Sequence, residues 1–305
     1  MRICITGGLG HCGSFIVPYF QQNGDSVTIL DNLSTQRYAS LYGLDEHNPV
    51  RFIEGDILDY DLSGLFHGVD VVIHLAAITD APSTVAKPAE TWRVNYEGTQ
   101  RVVDACTLNG CRLVFLSTTS VYGVSNGGTV DELTVDLKPQ SPYAEVKLSA
   151  ERYVLFENQN ATVLRCGTVY GVSVGMRWHT FVNRAVWQAA LGQPITVWRT
   201  AMDQLRPYLY LGDLLSAIVH VLDNNLTGLY CTLTDNHAPR DIIKVLKHYR
   251  PDLTVTLTDD KIMNLYSYCV SNQKLISTGW QPKGGLETGI AQTLTLLGGV
   301  RGKET

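Results

Sequence analysis

The most constraining feature of this chain is a glycine-rich turn placed between a short apolar strand and an apolar helix. Residues 2–6 are strand-like, and Gly7, Gly10 and Gly13 follow in the pattern G-x-x-G-x-x-G before an apolar stretch that begins at Phe15. Glycine lets the backbone turn sharply and approach a pyrophosphate, while the free amides at a helix N-terminus attract its negative charge. Such turns also exist without a ligand, but the strand that follows favours a dinucleotide site.

That second strand, over residues 26–30, ends in an acidic residue, Asp31. Asp31 lies about 20 residues beyond the glycines, where a carboxylate can accept hydrogen bonds from the ribose hydroxyls of a dinucleotide. The same carboxylate repels a 2′-phosphate. The sequence therefore predicts NAD rather than NADP, a preference that Arg37 could soften.

Strand and helix patterns continue to alternate as far as residue 170 and then loosen. The stretch 69–77 is almost continuously apolar, as a strand buried on both faces of a parallel sheet requires; His74 within it is interpreted as a core histidine with satisfied hydrogen bonds. We predict an α/β fold, a Rossmann-type doubly wound parallel sheet with a smaller mixed α/β C-terminal substrate lobe. The predicted dinucleotide-binding domain covers 1–170, joined by 206–235, and the smaller lobe covers 171–305.

Composition and charge argue against several classes of protein. A net charge of −5 and a pI near 5.9 disfavour a nucleic-acid-binding or anionic-membrane-binding surface. No apolar run reaches the roughly 20 residues of a membrane span, and Met1 leads directly into a strand, without a signal peptide. Seven cysteines without a CxxC pair favour reduced thiols over a disulfide framework or a metal site. We therefore expect a cytoplasmic protein without a metal, nucleic-acid or membrane partner.

A tyrosine and a lysine four residues apart, Tyr143 and Lys147, share one face of a predicted helix. A lysine there stabilises the phenolate and lowers the pKa of the phenol from its ordinary value of about 10, so Tyr143 can act as an acid or base. Tyr-x-x-x-Lys also occurs by chance on ordinary helix faces. The strand over 111–117 favours chemistry, because its carboxyl end delivers Thr118 to the edge where open α/β sheets bind ligands. The polar segment 126–142 is expected to form a loop over this edge.

In their order and spacing, several short motifs resemble the extended short-chain dehydrogenase/reductase family, specifically its NAD-dependent nucleotide-sugar epimerases and dehydratases such as UDP-glucose 4-epimerase. The resemblance covers nearly the whole chain. The motifs are TGGLGHCG at 6–13, DNLS at 31–34, GDI at 55–57, HLAA at 74–77, NYEGT at 95–99, STTSVYG at 117–123, YAEVK at 143–147, LRCGTVYG at 164–171 and RPYLYLGD at 206–213.

The resemblance implies NAD as the cofactor and a set of residues that contact it. The glycines would hold the pyrophosphate, the acid after the second strand the adenosine ribose, and the alanines after His74 the nicotinamide side. For Asn95 a structural role is the alternative. The implied cofactor-binding residues are Gly7, Gly10, His11, Cys12, Gly13, Asp31, Asn32, Ser34, Asp56, Ile57, Leu75, Ala76, Ala77, Asn95, Ser117, Tyr143 and Lys147.

The resemblance also implies a reaction through a transient 4-keto sugar, with bound NAD recycled. Tyr143 would be the base, Lys147 would bind the ribose and lower the pKa of the tyrosine, and Thr118 would bridge substrate and tyrosine. An arginine would bind the pyrophosphate of a nucleotide-sugar substrate, where bidentate charge-assisted bonds suit phosphate. The implied substrate-binding residues are Thr79, Thr118, Thr119, Thr168, Trp178, His179 and Arg206.

The two residues after Thr118 separate the alternative reactions. Sugar 4,6-dehydratases and the related decarboxylases typically carry Asp-Glu or Ser-Glu there, whereas this chain has Thr119 and Ser120, which cannot act as carboxylate acids or bases. The sequence therefore predicts an epimerase. A dehydratase or reductase on the same scaffold is the alternative, and a non-catalytic NAD-binding protein is disfavoured by the intact Tyr143 and Lys147.

Two further expectations concern the smaller lobe and the assembly. Trp178 and His179 should lie over the sugar, and His179 is either an additional acid/base or, in the reading that we prefer, a hydrogen-bonding group of the pocket wall. The family also implies a homodimer built from two helices of each subunit. The helices near 90–108 and 143–158 are the candidates.

Overall fold

The structure is a computed structural model that describes residues 1–123, 128–259, 267–300 and 302. Its strands, in chain order, are β1 (Arg2–Thr6), β2 (Ser26–Asp31), β3 (Arg51–Glu54), β4 (Val71–His74), β5 (Arg112–Thr118), β6 (Thr129–Val130), β7 (Ala161–Cys166), β8 (Thr168–Tyr170), β9 (Ile195–Trp198), β10 (Arg206–Tyr210), β11 (Gly228–Thr232), β12 (Asp235–His237), β13 (Val255–Thr258) and β14 (Cys269–Val270).

Seven of these strands form one parallel sheet in the order β3-β2-β1-β4-β5-β7-β11. Every residue of β4 and of β7 is buried, as expected of strands covered by helices on both faces. The order reverses between β1 and β4, so that successive strands are added outwards on both sides of β1. The predicted Rossmann-type doubly wound sheet is confirmed.

The helices of the described chain are α1 (Gly13–Gln22), α2 (Leu62–Leu65), α3 (Ala81–Ala86), α4 (Pro88–Trp92), α5 (Gly98–Asn109), α6 (Pro142–Glu157), α7 (Phe181–Ala190), α8 (Leu211–Asp223), α9 (Pro239–Tyr249), α10 (Gln273–Ile276) and α11 (Leu286–Leu296). Some of them cover the two faces of the large sheet. On one face, α1 and α8 contribute Ile16 and Ile218 to a fully buried core. On the other face, α5 and α6 contribute Val102 and Val154.

A smaller lobe is built from β8, β10 and β12, which form a three-stranded sheet, and from the parallel pair of β9 and β13. Helices α7, α9 and α11 pack around its core, which includes Val186, Ile242 and Ile290. Within the segment 206–235 the chain passes between the lobes, because β10 belongs to the smaller lobe whereas α8 and β11 belong to the large sheet. The division of the chain at residue 170 stays a prediction.

Several elements differ in extent from their sequence patterns. The predicted helix near 90–108 is interrupted by a π-helical turn at Arg93–Glu97. Strand β4 ends at His74, so the remainder of the apolar stretch 69–77 leaves the carboxyl edge as a loop. The predicted loop 126–142 contains β6, which pairs with β14; residues 126 and 127 lie outside the described part of the chain.

The interpretation of His74 as a core residue is confirmed. Its Nδ1 lies 2.7 Å from Thr6 Oγ1 and its Nε2 lies 3.0 Å from Thr99 Oγ1, so both ring nitrogens have partners. Across the described residues we find no helix long and apolar enough to span a membrane and no cluster of three or more His, Cys, Asp or Glu that could hold a metal. All seven cysteines are free thiols.

Candidate active site

The carboxyl edge of the large sheet opens into a cleft of about 940 Å³, within the range of roughly 300–1,000 Å³ that is typical of ligand sites. Its walls come from the glycine-rich turn after β1, the ends of β2, β4 and β5, and the start of α6. Side chains from residues 177–184 close it from the smaller lobe. This edge, at the reversal of strand order, is where open α/β sheets bind nucleotides.

Most predicted site residues line this cleft. They are Gly7, Gly10, His11, Cys12, Gly13, Asp31, Asn32, Ser34, Asp56, Ile57, Leu75, Ala76, Ala77, Thr79, Ser117, Thr118, Thr119, Tyr143, Lys147, Thr168 and His179. Three predicted residues, Asn95, Trp178 and Arg206, lie outside the lining.

Asn95 and Trp178 have other contacts. Asn95 donates from Nδ2 to the carbonyl of Ile78 and accepts at Oδ1 from the amide of Ile78, both at 2.8 Å. These bonds support the structural role of Asn95, and its assignment as a cofactor contact stays a prediction. Trp178 packs its ring against Trp187 with the centroids 5.1 Å apart, which explains why it does not face the cleft.

Arg206 lies behind an aromatic residue at the edge of the cleft. Its guanidinium sits over the ring of Tyr268, 5.0 Å from the centroid. Tyr268 in turn hydrogen-bonds to Thr119 and Ser120, which do line the cleft. Arg206 is thus one residue removed from the lining, and its contact with a substrate pyrophosphate stays a prediction.

The glycine-rich turn is packed closely against neighbouring backbone and leaves no room for side chains at Gly7 and Gly13. A backbone without side chains there is what close approach to a pyrophosphate requires. Gly7 has φ +69°, and a Cβ placed there would lie 2.6 Å from the amide nitrogen of Ala76. A Cβ on Gly13 would lie 2.4 Å from the carbonyl oxygen of Gly8. Helix α1 begins at Gly13, and the amides of Ser14, Phe15 and Ile16 donate to the backbone carbonyls of Gly10 and Cys12. A pyrophosphate at this turn would lie at the favourable end of the helix dipole.

Acidic and amide side chains shape the other end of the cleft. Asp31 accepts hydrogen bonds from the amide of Leu9 at Oδ2 (3.1 Å) and from the amide of Leu33 at Oδ1 (2.9 Å), which ties the end of β2 to the glycine-rich turn. Asn32 donates from Nδ2 to Oδ2 of Asp56 at 2.8 Å. These residues can hold the adenosine half of a dinucleotide.

Tyr143 and Lys147 reach the cleft because of the way α6 begins. Ser141 caps the helix by accepting at Oγ from the amide of Ala144 (3.2 Å), a preferred arrangement at helix N-termini. Tyr143 therefore lies in the first turn and Lys147 one turn later. The hydroxyl of Thr118, the last residue of β5, acts on the pKa of Tyr143 and lowers it, and Thr118, Tyr143 and Lys147 all line the cleft.

The electrostatics of this group differ from the sequence-based expectation. Burial raises the pKa of Tyr143 to about 12, whereas Arg177 and the hydrogen bond from Thr118 act in the opposite direction. Burial lowers the pKa of Lys147 to about 8, and its Nζ donates to the carbonyl of Leu116 at 2.8 Å. The cation that favours the phenolate here is Arg177 rather than Lys147, because the long lysine side chain is directed to the end of β5. The protein's own groups leave the phenol protonated near neutral pH.

Hydroxyl groups, rather than carboxylates, follow Thr118. Thr119 and Ser120 both line the cleft, and Thr119 donates from Oγ1 to the carbonyl of Cys166 at 3.2 Å. The next acidic residues along the chain are bonded to backbone amides: Asp131 accepts from Leu133 at 2.9 Å and Glu132 accepts from Cys231 at 2.5 Å. The groups beside Thr118 are therefore hydroxyls, which form hydrogen bonds but cannot act as carboxylate bases.

Sequence analysis missed Arg177. Its Nη1 donates to Oγ1 of Thr79 on the opposite wall of the cleft. The pKa of His179 is lowered mainly by burial and next by the charge of Arg177. Arg184 and Thr180 line the cleft as well. The available signal was the unusual content of polar and aromatic residues in 176–183, but the sequence did not show which of them point inwards.

The sequence and the fold have known relatives. The model of the NAD dependent epimerase/dehydratase family matches residues 3–231. UDP-glucuronic acid decarboxylase 1 of Danio rerio is 28% identical over 235 residues, covering 74% of this chain and 55% of that protein, so the chain spans little more than half of its length. UDP-glucose 4-epimerase of Mycolicibacterium smegmatis is 28% identical over 320 aligned residues, covering 96% of this chain and 97% of that protein.

Among solved structures, UDP-glucuronic acid 4-epimerase from Bacillus cereus in complex with UDP-glucuronic acid and NAD matches with a TM-score of 0.87 and 25% identity, over 98% of this chain and 99% of that chain. These relatives include epimerases and a decarboxylase, and they share the Rossmann-type architecture. The family match covers most of the chain, and the expected resemblance is confirmed. The chain belongs to the NAD dependent epimerase/dehydratase family, the nucleotide-sugar branch of the extended short-chain dehydrogenases/reductases.

Proposed function

We propose that this protein is an NAD-dependent nucleotide-sugar epimerase that acts through a transient 4-keto sugar. The observation that carries the proposal is the presence of Tyr143, Lys147 and Thr118 together in the cleft at the sheet edge, with the hydroxyl residues Thr119 and Ser120 beside them. The epimerases among its relatives support it. The decarboxylase among the relatives supports the main alternative, a decarboxylase or dehydratase.

NAD fits the cleft in two respects. The glycine-rich turn admits no side chains at Gly7 and Gly13, and Asp31 and Asn32 stand at the end of β2 where a ribose would be held. Bound NAD would supply the oxidant, taking hydride from carbon 4 of the sugar and returning it to the opposite face. Asp31 favours NAD over NADP, because its carboxylate repels a 2′-phosphate.

The side chains of this chain would then move the proton. The positive charge that bound NAD would bring to the cleft favours the phenolate of Tyr143, which the protein's own groups leave protonated. Once deprotonated, Tyr143 Oη would accept the proton of the hydroxyl at carbon 4 while the hydrogen on that carbon leaves as hydride, and it would return that proton when the ketone is reduced. Thr118 donates to the oxygen on which negative charge develops. Lys147 is anchored on the carbonyl of Leu116, and Arg177 supplies the positive charge that favours the phenolate.

The absence of a carboxylate after Thr118 favours an epimerase over a dehydratase. Loss of water or carbon dioxide needs groups that remove or deliver a proton at carbons other than carbon 4. Thr119 and Ser120 cannot do this, so the keto sugar has only reduction open to it. A reductase that releases its product would need to exchange the cofactor at each turnover.

Analysis of products in deuterated water tests the proposal. The purified protein would be incubated with UDP-, GDP-, dTDP- and CDP-linked hexoses and hexuronic acids, and the products examined by mass spectrometry and proton NMR. We expect an isomer of unchanged mass without solvent deuterium. A product lighter by water or carbon dioxide would overturn the proposal in favour of a dehydratase or decarboxylase.

We also propose that the protein is a homodimer through α4, α5 and α6. These helices expose large apolar side chains: Trp92, Leu108 and Phe156 are 41%, 74% and 79% exposed. Light scattering coupled to gel filtration should give the mass of two chains for the wild type and of one chain for Phe156→Glu. Leu296→Glu, on α11 in the smaller lobe and 57% exposed, is the control that should stay dimeric. A monomeric wild type would rule the dimer out.

The cytoplasmic location stays a prediction.

A further inference from the structure

A segment of the smaller lobe lies directly on the glycine-rich turn. We call this segment, residues 173–177, the strap. Ser173 Oγ lies 2.9 Å from Nδ1 of His11, and the amide of Gly175 donates to Oγ of Ser14 at 2.9 Å. A Cβ on Gly175 would lie 2.6 Å from the carbonyl oxygen of Gly10, so backbone meets backbone. The strap is therefore held in a fixed position over the predicted pyrophosphate site.

Two nitrogens near this contact have no partner. Arg177, at the end of the strap, uses Nη1 on Thr79, but its Nε is buried without a hydrogen-bond partner among the described residues. His11 is 3% exposed; its Nδ1 is bonded to Ser173, and its Nε2 is likewise buried and unpartnered within the described chain. Buried donors without a partner are costly. Since both residues line the cleft, a ligand in the cleft can satisfy them.

The positive charge around Arg177 and His11 favours the binding of an anion. Burial and then Arg177 lower the pKa of Arg37 and of His179. Asp31 acts on Arg37 and Asp80 on His179 in the opposite direction, but each less strongly than Arg177. The neighbourhood of the strap is thus dominated by cations that repel one another, and an anion between them would remove this repulsion.

We propose that Arg177 and His11 bind the pyrophosphate of the dinucleotide together with the glycine-rich turn, so that the smaller lobe contributes directly to cofactor binding. The proposal rests on the dinucleotide site of the proposed function. Burial and the charge of Arg177 lower the pKa of His11 to about 3, so the ring is neutral near pH 7. In the tautomer in which Nδ1 accepts from Ser173, the ring carries its proton on Nε2, which then donates to a phosphate oxygen. The guanidinium of Arg177 supplies a charge-assisted bond.

The same anion chemistry is present in a nucleotide-sugar substrate, through its diphosphate or a sugar carboxylate. The position of the strap favours the pyrophosphate of the cofactor over that of the substrate, because the strap contacts the glycine-rich turn at His11 and Ser14.

Binding measurements distinguish the cofactor from the substrate as the source of the anion. They use ADP-ribose, which retains the pyrophosphate of NAD but lacks nicotinamide, adenosine, which lacks both phosphates, and UDP-glucose as the substrate probe.

The experiment compares the full-length wild type with Arg177→Gln and His11→Phe by calorimetry, and by ligand-observed NMR for adenosine. Each variant should bind NAD and ADP-ribose about tenfold or more weakly, as loss of one charge-assisted or buried hydrogen bond implies, with adenosine changed less than about twofold. Arg184→Gln, a cleft-lining arginine on α7, is the matched control for general electrostatics and should retain ADP-ribose affinity. Unfolding midpoints establish that each variant is folded.

Unchanged ADP-ribose affinity in both His11 and Arg177 variants would overturn the proposal. Weakened UDP-glucose binding with unchanged ADP-ribose binding would also overturn it and assign the anion site to the substrate. These readouts do not depend on turnover. A wild type that binds NAD and ADP-ribose but converts no sugar would refute the epimerase proposal while leaving this one standing.

Discussion

Removing one member of the buried ion pair between Glu151 and Arg165 should destabilise the protein far more than removing an exposed pair. The two side chains are 2% and 4% exposed. Arg165 donates from Nη2 to Oε1 (2.6 Å) and from Nε to Oε2 (3.0 Å) of Glu151. Ser117 donates to the same carboxylate at 2.7 Å, and Arg165 donates to the hydroxyl of Tyr122 at 2.9 Å. The pair thus joins α6, which carries Tyr143, to the strands that end at the cleft.

Arg165→Met leaves the carboxylate of Glu151 buried with Ser117 as its remaining partner. Removing one partner of a buried ion pair typically costs about 3–5 kcal/mol. With an unfolding entropy of about 2.1 cal/mol/K per residue, a chain of 305 residues loses about 1.6 °C in melting temperature per kcal/mol. The expected decrease is therefore about 5–8 °C. The double variant Arg165→Met/Glu151→Leu removes both charges and should recover much of this loss, because no isolated buried charge remains.

Differential scanning calorimetry measures these shifts directly. The matched control is Arg199→Met, which breaks the pair with Asp259, whose members are 59% and 74% exposed. An exposed pair contributes about 0–1 kcal/mol, so this variant should melt within about 2 °C of the wild type. The reasoning is refuted if Arg165→Met melts like the control, or if the double variant melts below the single variant.

Three further predictions concern the cleft. Tyr143→Phe should lower kcat by at least about 10²-fold, the lower range for lost acid–base catalysis, with NAD affinity unchanged in a calorimetric titration; normal turnover would show that the base is wrongly assigned. Asp31→Ala should weaken NAD binding by about tenfold, as expected from loss of hydrogen bonds to a charged acceptor, and narrow the preference over NADP, so equal affinities in wild type and variant would contradict the ribose assignment. In the ligand-free protein the phenol of Tyr143, with its pKa raised to about 12 by burial, should stay protonated up to about pH 10, as followed by ¹³C NMR of labelled tyrosine with the Phe variant for assignment; a midpoint near neutrality would contradict the burial argument.

Local patterns in the sequence predicted much of the site. The spacing of Gly7, Gly10 and Gly13 between strand and helix, and the acid that ends the next strand, are set by neighbouring residues and by the geometry of a βα turn. The four-residue interval between Tyr143 and Lys147 likewise follows from helix geometry. These features depend on short stretches of chain, and the structure places all six residues in the cleft.

Contacts between distant segments were not predictable in this way. His11 meets Ser173 across 162 positions, and such contacts depend on how the smaller lobe packs. The direction of side chains in irregular segments was also hidden. In the segment after the strap's Gly175, Arg177, His179 and Thr180 line the cleft while Trp178 packs on Trp187. The segment has no regular secondary structure, so no periodicity in the sequence could establish which of its side chains point inwards.

The chemistry of the proposed 4-keto sugar turns on whether any group can remove the proton next to the ketone. Thr119 and Ser120 cannot, and Glu132 is engaged with the amide of Cys231. His179 is the one further candidate that sequence analysis raised: it lines the cleft, and its lowered pKa keeps the ring neutral near pH 7 and able to accept a proton. Its repulsion by Arg177 works against this role, since protonation would add charge beside a cation. We therefore expect His179→Asn to retain product formation, with no solvent deuterium in the product. The opposite result would be deuterium in the product of the wild type and none in that of His179→Asn. It would show that His179 acts as a base and that the epimerised carbon is the one next to the ketone.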